Sequence, residues 1–200
     1  MSLFLAGFGW SSAFGPGLHS SLAALADGQR ALAKAPGFIG IDFKQQVCCF
    51  QSVDKLDGFE TRVQHLTTEA LADLLSQQDP QSPPTVVDVI LCLPESYEAD
   101  GISQDRIEHL GHSLSGVVEK KLAGSTLQIA STRLVTAGQA GPTKVLESIL
   151  ARAGANRAYL LICADSLADT SRLSALIEQG RLFSDGSPYG LLPGEAAGAL

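Results

Sequence analysis

Three apolar runs, VVDVILCL (86–93), TLQIASTRLV (126–135) and AYLLICA (158–164), alternate with segments whose apolar residues recur every three to four positions. A run that is apolar almost throughout suits a strand covered on both faces. A period of 3.6 residues suits a helix laid against such a strand. The alternation predicts an α/β layered fold with a mostly parallel central sheet flanked by helices.

The flanking segments extend the pattern. LFLAGFGW (3–10) reads as a buried strand, and 17–28 as a helix with Leu18, Leu22 and Leu25 on one face and Gly28 as its stop. Residues 34–46 read as irregular, and QVCCFQSV (46–53) as a strand. A helix is predicted over 65–77, capped by Thr67 or Thr68, with Leu71, Leu74 and Leu75 inward. The polar, proline-containing stretch 77–85 links it to the first of the three runs. The longest helix is predicted over 103–124, with Ser103 as its cap and a stripe of Ile107, Leu110, Leu114, Val117, Val118 and Leu122. Residues 142–153 and 168–180 read as two more helices; in the first, Pro142 suits the opening turn and Val145, Leu146, Ile149 and Leu150 face inward. YGLLPGEAAGAL (189–200) turns into a strand as the sequence stops, so the expectation is either that the chain is a fragment or that its continuation has been lost.

Composition excludes several function classes. The net charge is −7, and the 14 basic residues are scattered, with none before Arg30. A nucleic-acid surface needs clustered Lys and Arg, so none is expected. No apolar run approaches the roughly 20 residues of a bilayer span. The start, MSLFLAGFGW, has neither the basic region nor the long apolar region of a signal peptide. The chain reads as soluble and cytoplasmic. Cys48, Cys49, Cys92 and Cys163 form no C-x-x-C pair and no zinc-like spacing, and Cys92 and Cys163 read as buried, inert thiols. No cofactor and no metal are expected.

Motif by motif, most familiar chemistry drops out. GFGW (7–10) has Ser12 where a dinucleotide fingerprint wants its third glycine, so Gly7 and Gly9 read as sites of close backbone packing. GQAGPTKV (138–145) has Thr143 before Lys144 and Val145 after it, which a phosphate loop does not allow. GHSLSG (111–116) lacks the second glycine of a nucleophile elbow and sits mid-helix. His109 and His112 share a helix face without further ligands and read as solvated. What remains is the turn at 136–142. A strand precedes it, a helix follows, and small residues lie between, the arrangement on which enzymes often mount a nucleophile.

In order along essentially all 200 residues, these segments resemble the β-ketoacyl synthase family of the thiolase superfamily. FLAGFGWSSAFGPGLHSSLAALADGQRAL is similar to the family's opening strand, Gly-rich turn and first helix, and YGLLPGEAAGAL to its PGEGAGAL strand. AYLLICADSL sits where the family has the strand leading to GG(T/V)(E/D). The family's active cysteine stands in TACSSS; the matching stretch here is TAGQAGP, which puts Gln139, or one residue earlier Gly138, in its place. VTAGQAG (135–141) is similar to the VTGGQAG of chain-length factors, ketosynthase-like subunits that lack the nucleophile and pair with an active ketosynthase.

The resemblance implies a layered, thiolase-like half-fold over 1–200, an N-terminal ketosynthase-like domain without its C-terminal half. It implies a non-condensing role in fatty acid or polyketide biosynthesis. The alternative is a malonyl decarboxylase or atypical acyltransferase, because ketosynthase-like loading domains carry a similar Gln. Ala137, Gly138, Ala140 and Gly141 would form the pocket turn around Gln139, and Gly194 and Glu195 a structural motif that satisfies backbone groups nearby. The implied partner is an active ketosynthase in a heterodimer, or a second copy in a homodimer, joined through an extended sheet edge at strand 126–135. Acyl carrier protein would be met directly or through that partner. Arg133, Lys144, Arg152 and Arg157 lie near the turn in sequence and could form a basic patch.

Overall fold

A computed structural model describes residues 4–51, 58–96, 99, 101–152 and 157–200. Strand β1 (Gly9–Ser12) turns into β2 (Gly15–Pro16) and helix α1 (Leu18–Ala26). A hairpin of β3 (Leu32–Ile39) and β4 (Gln45–Cys49) precedes α2 (Phe59–Ser76). There follow β5 (Thr85–Leu93), α3 (Gln104–Leu122), β6 (Leu127–Thr136), α4 (Gly141–Arg152), β7 (Ala158–Ser166), α5 (Thr170–Glu178) and β8 (Glu195–Ala199).

Six strands form one sheet in the order β2-β1-β8-β7-β5-β6. β5 runs parallel to β6 on one side and to β7 on the other. β8 lies antiparallel between β7 and β1. Strands β1, β5, β6 and β7 therefore point one way, against β8 and β2, so the sheet is mostly parallel, as the alternating pattern predicts.

The pleat of β5 explains the layers. Val87, Val89, Leu91 and Leu93 face one side, where Phe59, Val63, Leu66 and Leu71 of α2 and Ile107, Leu110 and Leu114 of α3 cover them. Ile90 and Cys92 face the other side, under Val145 and Ile149 of α4. A separate cluster joins the β3–β4 hairpin to α5 through Phe38, Cys48, Phe50, Leu173 and Leu176. Gly9 is required where β1 crosses α2, because a Cβ there would stand 2.0 Å from the Ala70 carbonyl oxygen. The G-x-G thus serves packing.

Several elements depart from the sequence-based expectations. The first strand begins only at Gly9, and residues 34–46 are not irregular, since β3 occupies Leu32–Ile39 with a break in its ladder between Lys34 and Ile39 that hides the alternation. Helix α2 starts at Phe59 with Gly58 as its N-cap, so Thr67 and Thr68 lie inside it and cap nothing. The start was hidden because its capping acceptor comes from far along the chain: the Asp169 carboxylate takes the Phe59 N–H at 2.9 Å. Leu22 and Leu25 of α1 are 54% and 57% exposed, and Ser21 is the residue that helix buries. Leu146 and Leu150 of α4 are also exposed, leaving Val145 and Ile149 as its inward face. Ser103 caps α3 as expected, accepting from the Arg106 N–H. Of the predicted elements, residues 3, 52, 53 and 153 lie outside the described residues.

Candidate functional site

The turn after β6 is built by one change of backbone hand. Thr136, the last residue of β6, pairs with Leu93 at the end of β5. Ala137 follows at φ −121°, and Gly138 then takes φ 53°, the left-handed region that glycine enters without a Cβ penalty. A short 3-10 turn over Gly138–Ala140 leads directly into α4 at Gly141. Ala137 and Gly138 are half-buried, Gln139 and Ala140 are exposed, and Gly141 is buried. Beneath the turn lies the end of β5. A Cβ on Gly138 would sit 3.5 Å from the Glu95 nitrogen, and one on Gly141 3.7 Å from the Cys92 sulfur.

No side chain caps this 3-10 turn; its own carbonyls take the opening amides, the Ala140 N–H donating to Ala137 and the Gly141 N–H to Gly138, and Pro142 has no N–H to place. The dipole of α4 favours negative charge at the corner. The side chain displayed there, Gln139, can donate and accept hydrogen bonds but cannot attack a carbonyl. Nor does any of the four thiols occupy the corner. Cys48 is buried in the β3–β4 hairpin, where burial pushes its thiol up to about 12, and burial also raises neighbouring Cys49. Cys92 is buried below Gly141, and Cys163 stands beside Cys92 on β7. Held protonated, Cys48 and Cys49 are poor nucleophiles at neutral pH.

Glu195 lies at the same end of the sheet, because it opens β8 opposite Ser166, the last residue of β7. The carboxyl ends of β5, β6 and β7 border this region, the place where open α/β sheets bind ligands. The Glu195 side chain is fully buried and accepts four hydrogen bonds: two from the Arg62 guanidinium, one from the Gln51 N–H at 2.9 Å and one from the Ser166 hydroxyl at 2.9 Å. Gly194 adds backbone links, pairing with Cys49 and accepting the Leu167 N–H. Gln51 also donates to Ser11, to the Ser12 carbonyl and to Glu69, tying the hairpin to β1 and α2. The Arg62 guanidinium lies over the Phe50 ring at 5.0 Å.

A second polar cluster sits below. Asp169 caps α5 through the Ser171 and Arg172 N–H groups while holding Phe59. Arg106 and Arg172 flank the Phe59 ring at 5.4 and 5.3 Å, and Arg172 also binds Asp165. Glu60 takes two hydrogen bonds from Arg106, which hold its carboxyl below the usual value and raise the Arg106 guanidinium. Sequence reasoning missed Arg62, Asp169 and Arg172. The available signal was Arg62 itself, a cation inside the apolar stripe of Phe59, Val63 and Leu66.

Of the basic residues near the turn in sequence, the fold brings together Arg133 and Arg157. They border a cleft of about 460 Å³ between the sheet and α4, with Asp88, Ser131, Ser148 and Tyr159. Arg157 stands 3.6 Å from the Asp88 carboxylate. Lys144 is not among the residues lining that cleft. His109 and His112 are exposed on α3, and among the described residues no three His, Cys, Asp or Glu side chains converge as a metal site would require.

No protein-family model matches the chain, and no curated protein matches it in sequence. Solved structures do match in fold. The ishigamide ketosynthase/chain length factor aligns with a TM-score of 0.58 at 16% identity, over 96% of this chain and 59% of that one. The ketosynthase from module 6 of the bacillaene synthase of Bacillus subtilis 168 aligns with a TM-score of 0.60 at 12% identity, over 97% of this chain and 38% of that one. The chain therefore has the layered, thiolase-like fold found in ketosynthases, and it spans less than two thirds of the length of either protein.

Proposed function

We propose that this chain is a ketosynthase-like subunit of fatty acid or polyketide biosynthesis that does not itself condense acyl units and acts as the partner of an active ketosynthase. The observation that carries this reading is Gln139, exposed at the head of α4 in a strand–turn–helix whose amides remain uncapped by side chains. An amide cannot form the acyl-enzyme that condensation passes through. The corner keeps its shape without its nucleophile, which favours a role in surface and pocket.

The partner surface in this reading is β6. It is ten residues long, pairs among the described residues only with β5, and is exposed or half-buried along its whole length. Its outer backbone groups suit addition of another strand. A ketosynthase completes a heterodimer there, or a second copy a homodimer. Acyl carrier protein then docks through the partner, because this chain carries a net charge of −7. One matched structure is itself described as a ketosynthase/chain length factor. No helix among the described residues is long and apolar enough to cross a membrane, and the reading places the work in the cytoplasm. Residues 1–200 serve as the N-terminal half of such a subunit, with Glu195 holding the region behind the turn.

The test is co-expression with ketosynthases encoded nearby, followed by co-purification and a malonyl-extension assay with Gln139→Ala and Gln139→Cys in parallel. A heterodimer whose activity needs this chain and survives Gln139→Ala is the expected result. Decarboxylation of malonyl units by this chain alone, lost in Gln139→Ala, would replace it with the decarboxylase reading.

A further inference from the structure

None of the four thiols takes part in the proposed function, and two of them lie side by side on neighbouring strands. Cys92 of β5 and Cys163 of β7 are directly paired in register on adjacent parallel strands. Both side chains point to the α4 face, where Cys92 is buried in the cluster with Val145 and Ile149 and Cys163 packs at its margin, half-buried. Their mutual interaction lowers the Cys92 thiol, while that interaction and burial raise Cys163. Adjacent strands lie about 4.8 Å apart, inside the Cα separation that a disulfide spans. The other two cysteines, although consecutive, do not match this. The pleat turns Cys48 into the hairpin core and leaves Cys49 on the opposite face.

We propose that Cys92 and Cys163 form a reversible disulfide when the protein meets a peroxide, and that this bond loosens the turn that carries Gln139. In the first step one thiol of the pair attacks a peroxide oxygen, giving a sulfenic acid and one water. In the second, the other thiol attacks the sulfenic sulfur, forming the S–S bond and releasing a second water. Two thiols are oxidised and one hydrogen peroxide is reduced. Half-buried Cys163 gives the oxidant its way in.

The consequence for the turn follows from packing. The Cys92 sulfur lies under Gly141, 3.7 Å from where a Cβ would stand. Bonding to Cys163 draws that sulfur sideways, towards β7 and away from the first turn of α4. The amides that open α4 then lose the packing beneath them and exchange more readily.

The experiment treats the whole chain with hydrogen peroxide, blocks remaining thiols with N-ethylmaleimide and maps the peptides, with dithiothreitol reversal and with Cys163→Ser and a Cys48→Ser/Cys49→Ser double variant alongside. The expected result is a peptide pair joining positions 92 and 163, formed also in the double variant and lost on reduction. Amide exchange at 139–146 should rise severalfold in the oxidised form and return to its starting value on reduction. Cys163→Ser should show neither change. Sulfinic acid at either thiol without a link, or a link confined to Cys48 and Cys49, would overturn the proposal. A Cys92–Cys163 link that leaves exchange at 139–146 unchanged would overturn its second clause.

Discussion

Arg62 and Glu195 stand 133 residues apart and meet as a two-pronged ion pair sealed from solvent, with side-chain exposures of 5% and 0%. The pair ties the first half of α2 to the opening of β8. Its weight comes less from attraction than from the damage of leaving one charge alone. Glu195→Gln should lower unfolding stability by about 3–5 kcal/mol, the range for breaking a buried pair from one side. The double change Arg62→Leu/Glu195→Leu should recover part of that loss. Urea titration of the three proteins measures both.

Gly138→Ala probes the backbone at the corner by itself. The added methyl meets nothing closer than 3.5 Å, so the φ of 53° supplies the whole penalty. A loss of about 1–2 kcal/mol is expected, the usual cost of placing an L-residue in the left-handed region. Thermal melting against Gly116→Ala, a mid-helix glycine with open space around it, isolates the effect.

Gly9→Ala should be far worse. Its methyl would lie 2.0 Å from the Ala70 carbonyl oxygen and 2.6 Å from the Leu74 nitrogen, both backbone atoms of α2. Neither can move without moving the helix, so the loss should reach or exceed the roughly 1–3 kcal/mol typical of overpacking. The check is the soluble yield and urea midpoint of the variant.

Acid should weaken the clamp between Glu60 and Arg106. The Glu60 carboxyl is held below its ordinary value of 4.5, chiefly by its hydrogen bonds to Arg106. A depressed carboxylate contributes stability in full above the unfolded value and loses it as pH falls through the folded one. The stability gap between the parent and Glu60→Gln should therefore stay constant above about pH 5 and close as pH drops below 4.5. Urea unfolding at stepped pH follows it.

The outer edge of β6 can be blocked without touching the core. Thr132 is exposed on that strand. Thr132→Lys sets a charge on an edge, the means by which natural sheets refuse further pairing. Melting should be unchanged, while affinity for a co-purified ketosynthase falls about tenfold, or about 1.4 kcal/mol. Size-exclusion chromatography of the mixed subunits reads it.

What could be read from the sequence was whatever local pattern decides. β5 and β7 announce themselves because a strand covered on both faces needs a long apolar run, and α3 because Ser103 caps it and its stripe is regular; β6 was legible as a strand, but none of its residues is buried, so its apolar run did not report cover on both faces. β3 was hidden because Pro36 and Gly37 interrupt it and its ladder shifts register, while its burial depends on α5, far along the chain. The start of α2 depends on Asp169, which no window around residue 59 contains. At the candidate site, the resemblance pointed to the turn and to Glu195, but the four donors around that carboxylate come from three separate segments. Leu22 and Leu25 misled because leucine at helical spacing looks the same whether or not anything lies against it.

The position of β8 also sets a schedule for the chain's birth. β1 is made long before β8, yet among the described residues its sheet partners are its own short hairpin strand and β8. β7 likewise has β5 on one side and must await β8 on the other. At ribosomal speeds of about 5–20 residues per second, β1 waits roughly 10–40 s for Glu195–Ala199 to arrive. Until then the nascent protein holds two raw strand edges with a gap one strand wide between them. Five residues, four of them alanine or glycine, close it.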